Sequence, residues 1–299
     1  MSIATGVTTP PRLGRAKGGD DSPKAMAFMV ALWFCLFVAV LFLVVLIGQT
    51  VLEGFPRWDA GLVANYPGPD PKIAGARPAI RGSLWVIGTT AVLAIPLGVA
   101  AAVHLEEFAD RRLPFNRFVE LNVQNLAAVP AIVYGLLTLS VLALVGVDNK
   151  NMVIVGAMAL GLLILPVIII STREALRAVP REIRDGSLAL GATPLQTVIR
   201  QTLPAAVPGI ATGSILALSR ALGEAAPLLL LGGLVFLRFD PNGLLSAYTT
   251  LPIQIFNWSS RPQEGFHILA AAASVLLLTL LLGMNSLAIY IRNRFQQRW

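Results

Sequence analysis

Between Lys24 and Glu53 the chain carries no charged residue, and Leu32 to Ile47 is almost continuously apolar. Such a run exceeds the roughly 20 apolar residues that cross a bilayer. It is too long for a signal-peptide core and follows a long polar tail, so it reads as a retained first span over residues 26–50. Four further apolar runs are long enough to cross, at 82–103, 121–147, 151–172 and 268–291. The stretch from Ala205 to Leu237, broken only by the charges of Arg220 and Glu224, holds either one span or two short ones.

Charge separates these two readings. Charged residues make up 13% of the 299 and hydrophobic residues 56%, about half the charge of an ordinary soluble domain. With a single span over 205–226 the chain has six. Arg12, Arg15, Lys17 and Lys24 of the N-terminal tail then share a side with Arg111, Arg112 and Arg117, with the arginines of the 173–204 loop, and with Arg292, Arg294 and Arg298. The positive-inside rule puts this richer side, and both termini, in the cytoplasm. Two short spans would export Arg292-Asn293-Arg294 instead. The expectation is an all-α polytopic membrane helix bundle with six transmembrane helices. Residues 25–299 form one domain behind a disordered tail, 1–24, and the chain resides in the cell membrane.

The same reading excludes other classes. The net charge of +7 is a topology signal, because its basic residues lie scattered between uncharged runs and form no nucleic-acid patch. One cysteine, Cys35, and two histidines, His104 and His267, leave no disulfide scaffold and no metal site. A phosphate-binding GxxxxGK[ST] loop is absent, so the chain does not hydrolyse ATP itself. An intramembrane enzyme needs convergent polar side chains on several spans, and outside the fifth span there are almost none.

Two segments carry chemistry. In the 173–204 loop, Ile183, Gly186, Ser187 and Leu190 recur at helical spacing after Pro180. Gly191 is a natural stop, and Thr193-Pro194 makes a cap and first residue for a new helix. This predicts a short helix lying across the cytoplasmic surface, either docked in a partner's groove or resting on lipid headgroups. The second segment is Arg220-Ala221-Leu222-Gly223-Glu224. Its opposite charges stand one helical turn apart beside a stripe of small residues, Gly209, Gly213, Ala217, Ala221 and Ala225. Arginine in hydrocarbon costs about 3 kcal/mol or more, so the pair serves either transport or helix register. Phe239, Phe256 and Trp258, in the 238–266 loop, are candidate contacts for an external protein.

These segments resemble the permease subunits of ATP-binding-cassette importers. Asp185-Gly186-Ser187, Gly191 and Leu203-Pro204 follow the spacing of that family's "EAA" loop, with Asp185 for Glu, Gly186 and Ser187 for the two Ala, and Gln201 where Ile is usual. Arg-Ala-Leu-Gly-Glu followed by Ala-Pro-Leu is similar to the A-type permeases of the phosphate-specific importers. The resemblance implies that Arg184, Asp185, Gly186, Ser187 and Gly191 couple to the ATPase, and that Arg220 and Glu224 line a phosphate path, with Glu224 as proton acceptor or as a clamp on Arg220. It further implies a second, homologous permease, two ATPase subunits on the 180–194 loop that hold the ATP and Mg, and an external phosphate-binding protein. A permease for sulfate or molybdate and a membrane scaffold are the alternatives.

Overall fold

A computed structural model describes residues 23–110, 112–233 and 236–295. The expected disordered tail, 1–24, lies outside these except for its last two residues. The described residues are almost wholly helical, with one isolated bridge, Met152 to Ala247, and no β-strand. The chain divides into two units, 1–49 and 50–299. The first holds most of helix α1 (Pro23–Gly54), whose side chains from Met26 to Leu46 are apolar and exposed around the whole helix. A helix apolar on every face suits a hydrocarbon surround.

In the second unit, a short α2 (Ala60–Ala64) leads to α3 (Arg77–Val103), which runs on through a π-helical turn, His104–Phe108. Then follow α4 (Pro114–Leu126), α5 (Ala131–Val145) and α6 (Val153–Arg177). Next come α7 (Arg181–Ala189), α8 (Pro194–Thr197), a second π turn at Val198–Thr202, and α9 (Leu203–Leu222). The chain ends with α10 (Ala226–Leu230), α11 (Leu251–Ser259) and α12 (Glu264–Phe295). The second π turn lies directly before Pro204. Proline has no N–H to bond back and crowds the carbonyl four residues earlier, and one wide turn absorbs this without stopping the helix.

Five of these runs are long and apolar enough to span a membrane: Pro23–Arg57, Arg77–Phe108, Val153–Arg177, Pro194–Leu222 and Glu264–Arg294. The expected third span, 121–147, is not one helix. It is the pair α4 and α5, bent by 113° at residues 127–130. Pro130 sets the break, since it disfavours helical backbone at the preceding Val129 and has no N–H of its own to donate. The expected fourth span ends at Arg177 rather than 172, and the fifth helix begins at Pro194 rather than 205.

The core is a layer of α3, α6 and α9. Val86, Ala94, Leu160, Ile164, Ile168, Ala217 and Ala221 are buried together there. Backbones approach closely where glycine allows it. A Cβ on Gly98 would meet Ile168 Cγ2 at 2.6 Å, and one on Gly135 would meet the Pro227 backbone at 2.9 Å. The segment 236–250 crosses the start of α6, where Ser246 and Leu244 carbonyls accept from the Val153 and Ile154 N–H groups. Those are donors a helix start otherwise leaves unpaired.

Candidate functional site

Helix α7 has no fully buried residue. It ends with Gly191 at φ +86°, where Gly191 N–H donates to Leu188 O and Ala192 N–H to Ser187 O. Thr193 then starts α8 with a reciprocal cap shared with Gln196, and Pro194 is the first helical residue. Beyond this turn the helix continues unbroken into α9, so the loop and the membrane helix are one mechanical piece. Gly191→Ala forces a side chain into the left-handed region at a cost of about 1 kcal/mol. Amide exchange in α7 is expected to quicken about fivefold, while exchange in α6 stays as it was.

The coupling candidates do not all point the same way. Asp185 and Gly186 are exposed, as are Leu188, Leu195 and Ile199, and Leu190 is 91% exposed. Ser187 turns inward, its hydroxyl 2.9 Å from that of Thr197. Arg184, expected to couple outward, is also directed into the protein. Its Nη1 donates to Val179 O and its Nη2 to Leu176 O, both at 2.8 Å, and its guanidinium grips both oxygens of Glu107, at 2.7 and 3.3 Å.

Glu107 belongs to an ion-pair network invisible in the sequence. Arg173, which is buried, donates to Glu106 at 3.1 Å and to Glu120 at 2.7 Å. Arg177 donates to the other oxygen of Glu106 at 2.8 Å. Both arginines lie on α6, not in a loop. The acids sit in the π turn after α3 and in α4, so the network ties three helices together beside a cleft of about 790 Å³ lined by Glu106, Glu107, Arg177, Arg181, Arg184 and Asp185 among others.

On α9, Gly209 and Gly213 face α6. A Cβ on the first would meet Ala175 Cβ at 2.7 Å, and one on the second would meet Ser171 Oγ at 2.5 Å. Ala217 and Ala221 continue the seam, each 1% exposed, while Ala225 lies beyond the helix. The expected Arg220–Glu224 helical pair is not formed. α9 stops at Leu222, and residues 223–225 are not helical before α10 begins. Pro227 has no N–H to donate to the Gly223 carbonyl four residues back, so α9 cannot run on through it, and the proline sits instead in the first turn of α10. Arg220 is exposed and Glu224 half-buried, and among the described residues no ion pair joins them. The Tyr134 hydroxyl donates to Leu126 O at 2.6 Å, across the break between α4 and α5. Gly135 of α5 packs on the Pro227 backbone of α10, so the helices that follow the two breaks lie against each other, with Arg220 in the last turn of α9 before the second break.

At the opposite end from α7, one carboxylate oxygen of Asp240 accepts from Arg77 at 2.7 Å, from Arg81 at 2.5 Å and from the Tyr66 hydroxyl at 3.2 Å. This fastens segment 236–250 to the start of α3. Asp240→Asn is expected to lower thermal stability in detergent, and the difference should shrink in about 1 M salt. A salt-independent difference would assign the effect to shape rather than charge. Of the outer aromatic candidates, Phe239 and Phe256 are exposed, but Trp258 is fully buried against Phe266 and the start of α12 and offers no contact surface.

Residues 94–297 match the family described as binding-protein-dependent transport system inner membrane component. The chain is 34% identical over 225 residues to phosphate transport system permease protein PstA 1 of Mycobacterium tuberculosis strain H37Rv, covering 75% of this chain and 71% of that protein. It is 33% identical over 264 residues to PstA of Mycobacterium leprae, covering 87% and 83%. Among solved structures, a bacterial alginate ABC transporter bound to its pentasaccharide-loaded periplasmic protein superposes with a TM-score of 0.59 at 14% identity, over 92% of this chain and 94% of that one. The inward-facing MetNI methionine ABC transporter gives 0.56 at 20% identity, over 74% and 97%. The matched region runs from within α3 to the end of α12 and contains α7, the seam and both helix breaks. The chain belongs to the binding-protein-dependent transport system inner membrane component family.

Proposed function

We propose that this chain is the transmembrane permease subunit of an ATP-driven importer for inorganic phosphate, in the cell membrane with both termini in the cytoplasm. The observation that carries the reading is the packing of two broken helices, α5 on α10 at Gly135 and Pro227, just past the end of α9 where Arg220 is exposed. Irregular backbone at membrane depth persists only where protein buries it or where it lines a watered cavity. A guanidinium presented there offers a planar fork that suits two phosphate oxygens. The names of the relatives at 30–34% identity support phosphate as the anion.

In this reading a second, homologous permease completes the path, and an external binding protein delivers phosphate at the Asp240 end. Two ATPase subunits dock on the exposed face of α7, on Asp185, Gly186 and the apolar Leu188, Leu190, Leu195 and Ile199. They hold the ATP and Mg, and this chain contributes no catalytic group and no cofactor. Glu224 flanks the second break rather than clamping Arg220. Proteoliposomes carrying the whole assembly are expected to accumulate labelled phosphate when ATP is on the α7 side and loaded binding protein on the other. Equal accumulation without ATP would sink the proposal.

A further inference from the structure

We infer that Arg184 is a positioning residue within the permease, and that with Glu107 it forms the strut fixing the docking helix to the π-helical end of α3. The inference rests on the reading of α7 as the ATPase-docking element. Helix α7 touches the rest of the protein through one narrow face. Ile183 packs into the cluster of Leu176, Val179, Ala206 and Ile210, Ser187 bonds Thr197, and Arg184 makes the four bonds described above. Of these, only the Arg184 fork reaches the π turn that ends α3. The apolar contact of Ile183 allows a nine-residue helix to pivot, whereas a fork held by two carbonyls and two carboxylate oxygens fixes its direction as well as its place.

The geometry divides the labour between adjacent acids. Glu106 faces α6 through Arg173 and Arg177, and Glu107 faces α7 through Arg184. The π turn that carries both is thus clamped on two sides. A displacement of α7 is passed directly to the end of α3, in parallel with the path through α8 into α9. Since α3 packs against α6 along the core, and α6 against α9 at the glycine seam, both paths reach α9, whose last turn carries Arg220. The guanidinium also reaches the carbonyls of Leu176, in the last turn of α6, and of Val179, two residues past its end, so the same fork ties the exit of α6 to α7.

The test uses the full assembly, with Arg184→Met, Arg184→Lys and Glu107→Gln. ATPase subunits are expected to co-purify with all three at the wild-type level, because the docking face is untouched. Phosphate taken up per ATP hydrolysed is expected to fall about tenfold in Arg184→Met and Glu107→Gln, the cost of losing a charge-assisted fork. Arg184→Lys should recover part of that loss. In the permease alone, tryptic cleavage after Arg181 should quicken in Glu107→Gln while cleavage after Arg292 stays unchanged. This second readout holds whatever the transported substrate is, so failure of the phosphate reading leaves the strut testable. Loss of the ATPase subunits would move Arg184 to the docking face and overturn the inference, as would unchanged cleavage or unchanged uptake per ATP. If Arg184→Met does not insert, Glu107→Gln decides, since it keeps size and shape and removes only the charge.

Discussion

Gly82→Ala is expected to be the most damaging single-methyl change in the chain, lowering stability in detergent by about 3 kcal/mol. Gly82 lies buried in the first turns of α3, and an added Cβ would run into the Thr249 carbonyl oxygen. That oxygen belongs to backbone, which cannot rotate away as a side chain does. It is also held from both sides, because Ser83 Oγ accepts from Leu251 N–H at 2.9 Å and Tyr248 is fully buried with its hydroxyl against Gly156. To make room, segment 236–250 must lift from α3, which opens the Asp240 contacts and the cap on α6 together. Gly88→Ala is the control on the same helix, since nothing lies within 4 Å of its Cβ position. Its stability should be unchanged or slightly raised, alanine being the better helix former. Thermal unfolding of both variants by an environment-sensitive fluorophore checks the pair, and equal effects would contradict the close approach.

The contrast shows what could be read from the residues. Span count follows from apolar run length, which fails only where a helix is not apolar throughout. Helix α4 is such a case, with Arg117, Glu120, Asn122, Gln124 and Asn125 among its residues, so its join to α5 looked like the front of a span. The α7 to α8 turn is local chemistry, and Gly191, Thr193 and Pro194 stand where the chain reverses. The Arg173, Arg177 and Arg184 network is the opposite case. Its partners are 53 to 77 residues away, no local spacing marks them, and the arginines look like topology charges alone. The end of α9 did have a signal in Gly223 and Pro227, but the four-residue spacing of Arg220 and Glu224 matched an uninterrupted helix equally well.

Arg220→Ala is expected to reduce phosphate uptake about a hundredfold, the loss of about 3 kcal/mol from a charge-assisted contact. Folding should survive, because Arg220 is exposed and, among the described residues, carries no ion pair. The neighbouring seam of Gly209, Gly213, Ala217 and Ala221 does not include its side chain. Arg220→Lys keeps the positive charge but presents a point donor in place of a fork, so uptake should lie between the two. Because the residue lies in the last turn of α9, at the far end of that helix from α7 and α8, the variant should leave ATPase docking and basal hydrolysis intact and change only the substrate-dependent part. Uptake of labelled phosphate normalised to inserted protein measures this. A lysine variant no better than alanine would show that planar recognition matters more than charge, and full activity in both would remove Arg220 from the path.

ATP hydrolysis in the reconstituted assembly reports whether phosphate is passed and whether Arg220 lies on its path. Binding protein loaded with phosphate or with sulfate is compared for wild type and Arg220→Ala. Stimulation by the phosphate-loaded protein alone, with uptake lost in the variant, is the expected result. Equal stimulation by sulfate, or a variant that transports as well as wild type, would contradict it.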